Sequence, residues 1–212
     1  MRHSFLRFSI VLGLVALLGS FCLIPSAQAQ GKDKPKKPAG NPKVDMLIDV
    51  RASKKTVKLV IELFAKDAPE TVKHFQELAA KKFYDGILFH RFVPRFVIQG
   101  GDPASKKVDG GLIADISPEE VGQKYSLGIG GSGKMVPLEV KLSHLRGTLG
   151  LARSNDPNSG DSQFFFNLSD NLVLDRGPQQ GYCVFGKIVK GIEFLDKLRQ
   201  GDKIRSVRPA KK

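Results

Sequence analysis

Apolar and polar residues alternate over short stretches of the chain, which predicts half-buried β-strands. The clearest case is Thr56–Leu63, where Val57, Leu59 and Ile61 alternate with mainly polar residues. Turn-forming residues such as Gly, Pro, Asn and Asp separate these stretches from one another. Further apolar-rich runs that predict strands lie at Val44–Val50, Phe89–Val93, Phe96–Gln99, Thr148–Arg153, Gln163–Leu168, Tyr182–Val189 and Ile204–Val207.

A different spacing, with apolar residues three or four positions apart, predicts an α-helix from Pro69 to about Lys81 with Val72 and Phe75 on its buried face. Proline suits the first turn of a helix because its missing N–H would be unpaired there anyway. Seven or eight strands and two helices separated by turns predict a closed antiparallel barrel of the mainly β class. The second helix is predicted over Gly191–Arg199, and a shorter helical turn begins at Ser117.

The first 29 residues have the pattern of a secretory signal peptide. A charged start precedes an apolar run from Phe8 to Ile24, and Ala27-Gln28-Ala29 supplies a cleavage site of small residues. We therefore expect cleavage after Ala29 and export to the periplasm or the exterior. The alternative is an uncleaved membrane anchor.

Residues 30–43 contain five Lys and one Asp but no large apolar side chain, which predicts a disordered linker. The folded domain is predicted over residues 44–207, followed by a basic tail at 208–212. Signal cleavage removes two Arg and no acidic residue, so the net charge of +13 falls to +11. Only Cys183 then remains, so a single domain without an internal disulfide is expected.

The basic charge raises the question of a nucleic-acid partner. The excess charge is spread along the chain and no nucleic-acid-binding motif is present, so we expect no specific nucleic-acid binding. Weak attraction of the Lys-rich linker to anionic surfaces stays open. The glycine-rich stretch 128–133 lacks the Lys-Ser or Lys-Thr that would follow in a phosphate-binding loop. We expect a monomer.

The most distinctive stretch runs from Phe89 to Asp102 and reads F-H-R-F-V-P-R-F-V-I-Q-G-G-D. It resembles the active-site strand of the cyclophilin-type peptidyl-prolyl cis-trans isomerases. Gly147–Phe166 resembles the second active-site segment of that family, and Val184–Lys187 a late strand. The resemblance covers about residues 44–207. It implies an eight-stranded barrel capped by two α-helices, with a glycine loop before a short strand at Met135–Val140.

The resemblance also assigns chemistry to particular residues. Arg91, a guanidinium beside apolar residues of its strand, corresponds to the catalytic donor. No nucleophile, proton shuttle, metal or cofactor is expected, because the reaction is rotation about an Xaa-Pro bond in an unfolded or exported polypeptide. His90 is interpreted as a packed structural histidine. The positions that match the proline pocket are Phe96, Val97, Phe165 and Leu174.

Four further positions match segments that contact the substrate main chain. Gln99 and Gln163 correspond to residues that also hold the arginine, and Ala152 and Arg153 to those that pair with the residue before the proline. Two positions depart from many eukaryotic members, which have tryptophan and histidine where this chain has Val173 and Tyr182. The resemblance therefore implies weak binding of cyclosporin.

Two other functions stay open at this stage. The same groove could hold proline-containing segments with little turnover, as a chaperone or assembly factor. Alternatively, the Lys-rich linker could make the chain a binder of anionic envelope polymers.

Overall fold

The computed structural model describes residues 40–177 and 180–210; the predicted signal peptide and most of the predicted linker lie outside these ranges. The mainly β class and the eight antiparallel strands are confirmed. The last strand extends to Pro209, into the segment predicted as a basic tail. The strands are β1 (Lys43–Val50), β2 (Lys55–Leu63), β3 (Arg91–Val93), β4 (Val97–Gly100), β5 (Thr148–Leu151), β6 (Phe164–Asn167), β7 (Val184–Lys190) and β8 (Lys203–Pro209).

The strands form one sheet in the order β3-β4-β6-β5-β7-β2-β1-β8, which curves into a half-barrel. The prediction of a closed barrel is therefore wrong, because β3 and β8 share no ladder. The segment before β3 forms only a single bridge to β8, between Leu88 and Lys203. A few main-chain hydrogen bonds, such as that from Phe89 N to Asp202 O at 2.9 Å, replace a regular pairing there.

Helix α1 (Pro69–Ala80) follows β2 and confirms the predicted helix. Its buried face includes Val72 and Phe75, and the Phe75 ring meets the ring of Phe185 on β7 at 5.3 Å. The helix thus covers apolar side chains of the sheet, and burial of this face is what stabilises a helix of this length.

Residues 103–127 form a separate small layer, in which the helical turn predicted at Ser117 is confirmed. A 3-10 helix spans Pro103–Lys107, followed by α2 (Gly110–Ile113) and α3 (Pro118–Tyr125). Ser117 starts α3 with reciprocal bonds to Glu120, a capping box. This layer has its own apolar cluster, formed by Leu88, Ile113, Val121 and Leu127.

Two predicted elements differ from the structure. Met135–Val140 is not a strand: it contributes one bridge, Val136 with Gly160, and Pro137 cannot donate to a ladder. The helix predicted at Gly191–Arg199 is a short 3-10 helix, Ile192–Lys197. Within residues 40–177 and 180–210, no helix combines the length and apolar character needed to cross a membrane.

Candidate active site

The stretch Phe89–Asp102, which we call the organising stretch, contains a tight hairpin that places Arg91 directly opposite Gln99. Strands β3 and β4 pair in this register, and Phe96 N closes the turn on Val93 O at 3.1 Å. Directly opposed residues of an antiparallel pair project to the same face. The strand is shorter than predicted and begins at Arg91, so Phe89 lies in the core rather than beside the arginine.

Strand β6 connects the core with the site through its alternating side chains. Phe164 and Phe166 are fully buried in the main core, whereas Phe165 between them faces the other way. Phe165 lies opposite Gln99 of β4 on one side and opposite Gly150 of β5 on the other. Arg91 on β3, Gln99 on β4 and Phe165 on β6 therefore face the same surface of the sheet.

These residues enclose a cavity of about 240 Å³, which we call the proline cavity. Most of the predicted site residues meet there, although they are far apart in sequence. Aromatic and aliphatic side chains form much of its wall, which suits an apolar ring. The lining residues are Arg91, Phe96, Val97, Gln99, Ala152, Arg153, Phe165, Leu174 and Tyr182.

Two predicted residues lie outside this cavity. Val173 belongs to the 3-10 helix Leu172–Leu174, and the residue is 53% exposed while its neighbour Leu174 lines the cavity. Gln163 lines a second cavity of about 300 Å³, which adjoins the first because Gln99, Ala152 and Arg153 line both. The structure therefore brings all but Val173 of the predicted residues to one continuous groove.

Arg91 is half-buried, and no hydrogen bond or ion pair among residues 40–177 and 180–210 uses its guanidinium. The prediction that Gln99 and Gln163 hold the arginine is wrong in this structure, because neither amide forms a hydrogen bond with Arg91 among the described residues; instead, Gln99 Nε2 donates to Gln163 Oε1 at 2.9 Å. Gln163 Nε2 donates in turn to Gly130 O at 2.7 Å. This chain fixes both amide orientations and leaves Gln99 Oε1 as an acceptor.

The glycine loop 128–133 is held in place by a buried carboxylate that the sequence reasoning missed. Asp102 is fully buried and accepts hydrogen bonds from Gly128 N at 2.7 Å, Gly130 N at 3.1 Å and Ala104 N at 2.9 Å. Because Gly130 O orients the Gln163 amide, Asp102 acts on the groove through the loop. The G-G-D sequence that ends the organising stretch was the available signal.

His144 is a second residue that the sequence reasoning missed. Its ring stacks on Phe165 with a centroid separation of 5.5 Å, and its Nε2 lies 3.1 Å from Tyr182 O. Asn167 Nδ2 donates to its Nδ1, so Nε2–H is the donor to the carbonyl. Burial lowers the pKa of His144, in agreement with this neutral ring. His144 thereby supports two walls of the proline cavity.

His90 is buried, as predicted. Neither ring nitrogen has a hydrogen-bond partner in the described part of the chain, and burial lowers the pKa of His90 to about 4. A neutral ring that lines neither cavity cannot serve the groove as a general acid or base.

The family model for cyclophilin-type peptidyl-prolyl cis-trans isomerases matches residues 47–212. The chain belongs to this family. Two solved structures of a Cryptosporidium parvum cyclophilin-type isomerase share the fold with a TM-score of 0.62 at 24% and 25% identity, and cover 81% and 80% of this chain and 99% of those chains. The second of them was determined in the presence of the dipeptide Ala-Pro.

Bacterial peptidyl-prolyl cis-trans isomerases are more similar in sequence. Peptidyl-prolyl cis-trans isomerase A of Dickeya dadantii is 37% identical over 143 residues, 66% of each chain. The Helicobacter pylori isomerase is 37% identical over 154 residues, 70% of this chain and 78% of that protein. The aligned region spans slightly less than two thirds of the Dickeya dadantii isomerase and 64% of the Acinetobacter baylyi isomerase.

Proposed function

We propose that this chain is a peptidyl-prolyl cis-trans isomerase that accelerates rotation about Xaa-Pro bonds and so assists protein folding. The observation that carries the proposal is Arg91, which lines a cavity of about 240 Å³ with aromatic and aliphatic walls while its guanidinium has no partner in the described residues. A cyclophilin fold alone would be weaker support, since folds host many functions.

The reaction makes and breaks no covalent bond, so the protein only has to lower the barrier to rotation about the Xaa-Pro bond. Rotation is opposed by about 18–20 kcal/mol because the nitrogen lone pair is delocalised into the carbonyl. Phe96, Val97, Phe165 and Leu174 grip the proline ring, and a donated N–H from Arg91 stabilises the nitrogen once its lone pair is released. One preorganised donor in a water-poor site contributes about 3–4 kcal/mol to such a step, or two to three orders of magnitude in rate.

No group changes its protonation in this mechanism. Arg91 is a cation at every pH in the working range, and His90 and His144 have lowered pKa values. We therefore expect a rate that is nearly flat from pH 6 to pH 8. A bell-shaped profile in this window would implicate an acid or base.

The test compares catalysed isomerisation of short Xaa-Pro peptides, measured by NMR exchange, in wild type, Arg91→Ala and Arg205→Ala. We expect Arg91→Ala to lower kcat about 100-fold while the peptide Kd changes little. Arg205 is an exposed residue of β8 that lines neither cavity of the groove, so its variant keeps full turnover. Peptide binding without any catalysed exchange in wild type would instead identify a binding module.

We further propose that the chain acts on exported, proline-containing polypeptides as a monomer without specific nucleic-acid binding. The signal-peptide pattern of residues 1–29 supports export. Cell fractionation with N-terminal sequencing tests the location and the cleavage point, and light scattering tests the monomer. Binding to anionic vesicles that disappears when residues 30–43 are deleted would support a weak surface attraction of the linker.

A further inference from the structure

The proline cavity carries two positive charges and no negative one. Arg91 lines it from β3, and Arg153 from the segment that follows β5. None of the described lining residues has a carboxylate. Pro178 and Gln179, which fall between the described ranges, are uncharged residues. Two cations around one small cavity repel each other, and an anion bound there would relieve this repulsion.

Arg153 is held rigidly, but its charge is not neutralised. Nε donates to Gly181 O at 3.2 Å, Nη1 to Ser154 O at 2.8 Å, and Nη2 to Gln180 O at 2.8 Å and Gly181 O at 3.0 Å. The guanidinium also lies over the Tyr182 ring, 4.5 Å from its centroid. Carbonyl oxygens satisfy N–H groups without cancelling a full charge. At least one Nη1 N–H remains for a ligand.

Three of the nine described arginines have acidic partners, whereas Arg51, Arg95, Arg176 and Arg199 have none. Arg146 pairs with Asp196 at 2.8 Å, Arg205 with Asp49 at 2.9 Å, and Arg208 with Asp85. In the described part of the chain, the two groove arginines have no such pair. Their charge is therefore available to whatever occupies the groove.

Among the described residues that line the groove, Asp161 is the one acidic residue, and it lines the second cavity rather than the proline cavity. Its carboxylate accepts hydrogen bonds from Ser132 Oγ, from Gly133 N at 2.9 Å and from His74 Nε2 at 3.3 Å, which hold it beside the glycine loop. Arg153 lines both cavities, so a segment that extends from one to the other passes its guanidinium.

Together, these contacts point to a substrate class. We propose that the groove is selective for Xaa-Pro segments that carry a carboxylate directly before or directly after the proline, with Arg153 as the specificity-determining residue. This inference rests on the proposed function only for its kinetic readout, because selective binding would be visible even without turnover.

The test uses six-residue peptides with Glu, Gln or Lys directly before the proline, and a second set with the same residues directly after it. For each peptide, NMR gives Kd and the catalysed exchange rate relative to the uncatalysed one. In at least one set we expect Glu to exceed Gln about threefold and Lys about tenfold in kcat/KM and in affinity at low salt. The ratios should fall toward one in 1 M NaCl.

Three variants test whether Arg153 causes the preference for Glu peptides over Lys peptides, expressed as the ratio of their kcat/KM values. Arg153→Gln should bring the Glu-to-Lys ratio down to about threefold or less, whereas Arg153→Lys should retain most of it because the charge remains. Arg205→Gln removes the same charge from a surface away from the groove and should leave the ratio unchanged. Equal values for Glu, Gln and Lys in both sets would overturn the proposal, as would an equal loss in Arg205→Gln. Selectivity in Kd without catalysed exchange would support the proposal and refute the isomerase function.

Discussion

Gly150 on β5 lies directly beneath Phe165 on β6, and a Cβ on residue 150 would come within 2.9 Å of Phe165 Cε1. Real Cβ atoms do not approach so closely, so any larger residue must displace the ring. Because Phe165 forms a wall of the proline cavity, the absence of a side chain at residue 150 determines the shape of the groove.

Gly150→Ala should therefore lower kcat/KM for Xaa-Pro peptides by about tenfold or more, since small misplacements in a site carry large costs. The substitution also overpacks the interior, at about 1–3 kcal/mol of stability. The matched control is Gly186→Ala on β7, where a Cβ would meet Glu62 O at 2.8 Å and the residue lines neither cavity of the groove. Its stability should fall comparably with kcat/KM preserved; a similar loss in both variants would contradict this explanation.

Asp102→Asn tests whether the glycine loop positions the glutamines. An amide cannot accept all three main-chain N–H groups that the Asp102 carboxylate accepts, so the loop and Gly130 O should shift. We expect kcat/KM to fall about fivefold and the Gln163 side-chain amide protons to exchange faster with solvent. The free energy of unfolding should fall by about 1–3 kcal/mol.

The control for this variant is Asp202→Asn. Asp202 is another buried carboxylate and accepts from Arg51 N and Arg199 N, both at 2.8 Å, but it lies away from the groove. The Asp202→Asn variant should lose stability, while its kcat/KM and the exchange rate of the Gln163 side-chain amide protons stay at wild-type values. If Asp102→Asn changes stability alone, Asp102 does not position the groove.

Stability should fall with acidification through His90. The folded pKa of His90 is about 4, below the ordinary value of 6.5, so the unfolded chain takes up its proton first as the pH falls. The resulting loss begins near pH 6.5 and reaches about 3 kcal/mol near pH 4. Urea unfolding across this range measures it.

His90→Phe isolates this contribution, because it removes the titrating group and no hydrogen bond among the described residues depends on the ring. The lowered pKa of His144 acts in the same direction and remains in the variant. The variant should therefore lose less stability between pH 6.5 and pH 4 than wild type. If stability falls equally with pH in wild type and in His90→Phe, the titration of His90 does not contribute to the acid sensitivity.

Cys183 should be inert to thiol reagents in the folded protein. Its side chain is fully buried, and burial raises its pKa to about 12, so the reactive thiolate is scarce. In a Cys22→Ser variant, in which Cys183 is the only thiol, modification should be about a thousandfold slower in buffer than in urea. Rapid modification in buffer would mean that β7 opens locally.

Local sequence determined much of the architecture. The alternation in Thr56–Leu63 predicted β2, and the apolar spacing after Pro69 predicted α1. Each pattern gives its element one apolar face, so the local sequence alone is enough to predict it. The same kind of local pattern wrongly predicted a strand at Met135–Val140. Pro137 has no N–H to donate, and Leu138 N donates to the side chain of Asn158 at Oδ1 rather than to a neighbouring strand, so only one bridge forms. Local patterns also gave no sign that β3 and β8 stay unpaired.

The sequence by itself determined the family, the eight strands of the sheet and every residue that lines the proline cavity, because a contiguous motif carries Arg91, Phe96 and Gln99 together. Only the tertiary structure showed that Gln99 bonds Gln163 rather than Arg91, and that Val173 points into solvent. The physical reason is that hydrogen-bond partners and cavity walls are set by distances between segments remote in the chain, and no local pattern encodes those distances.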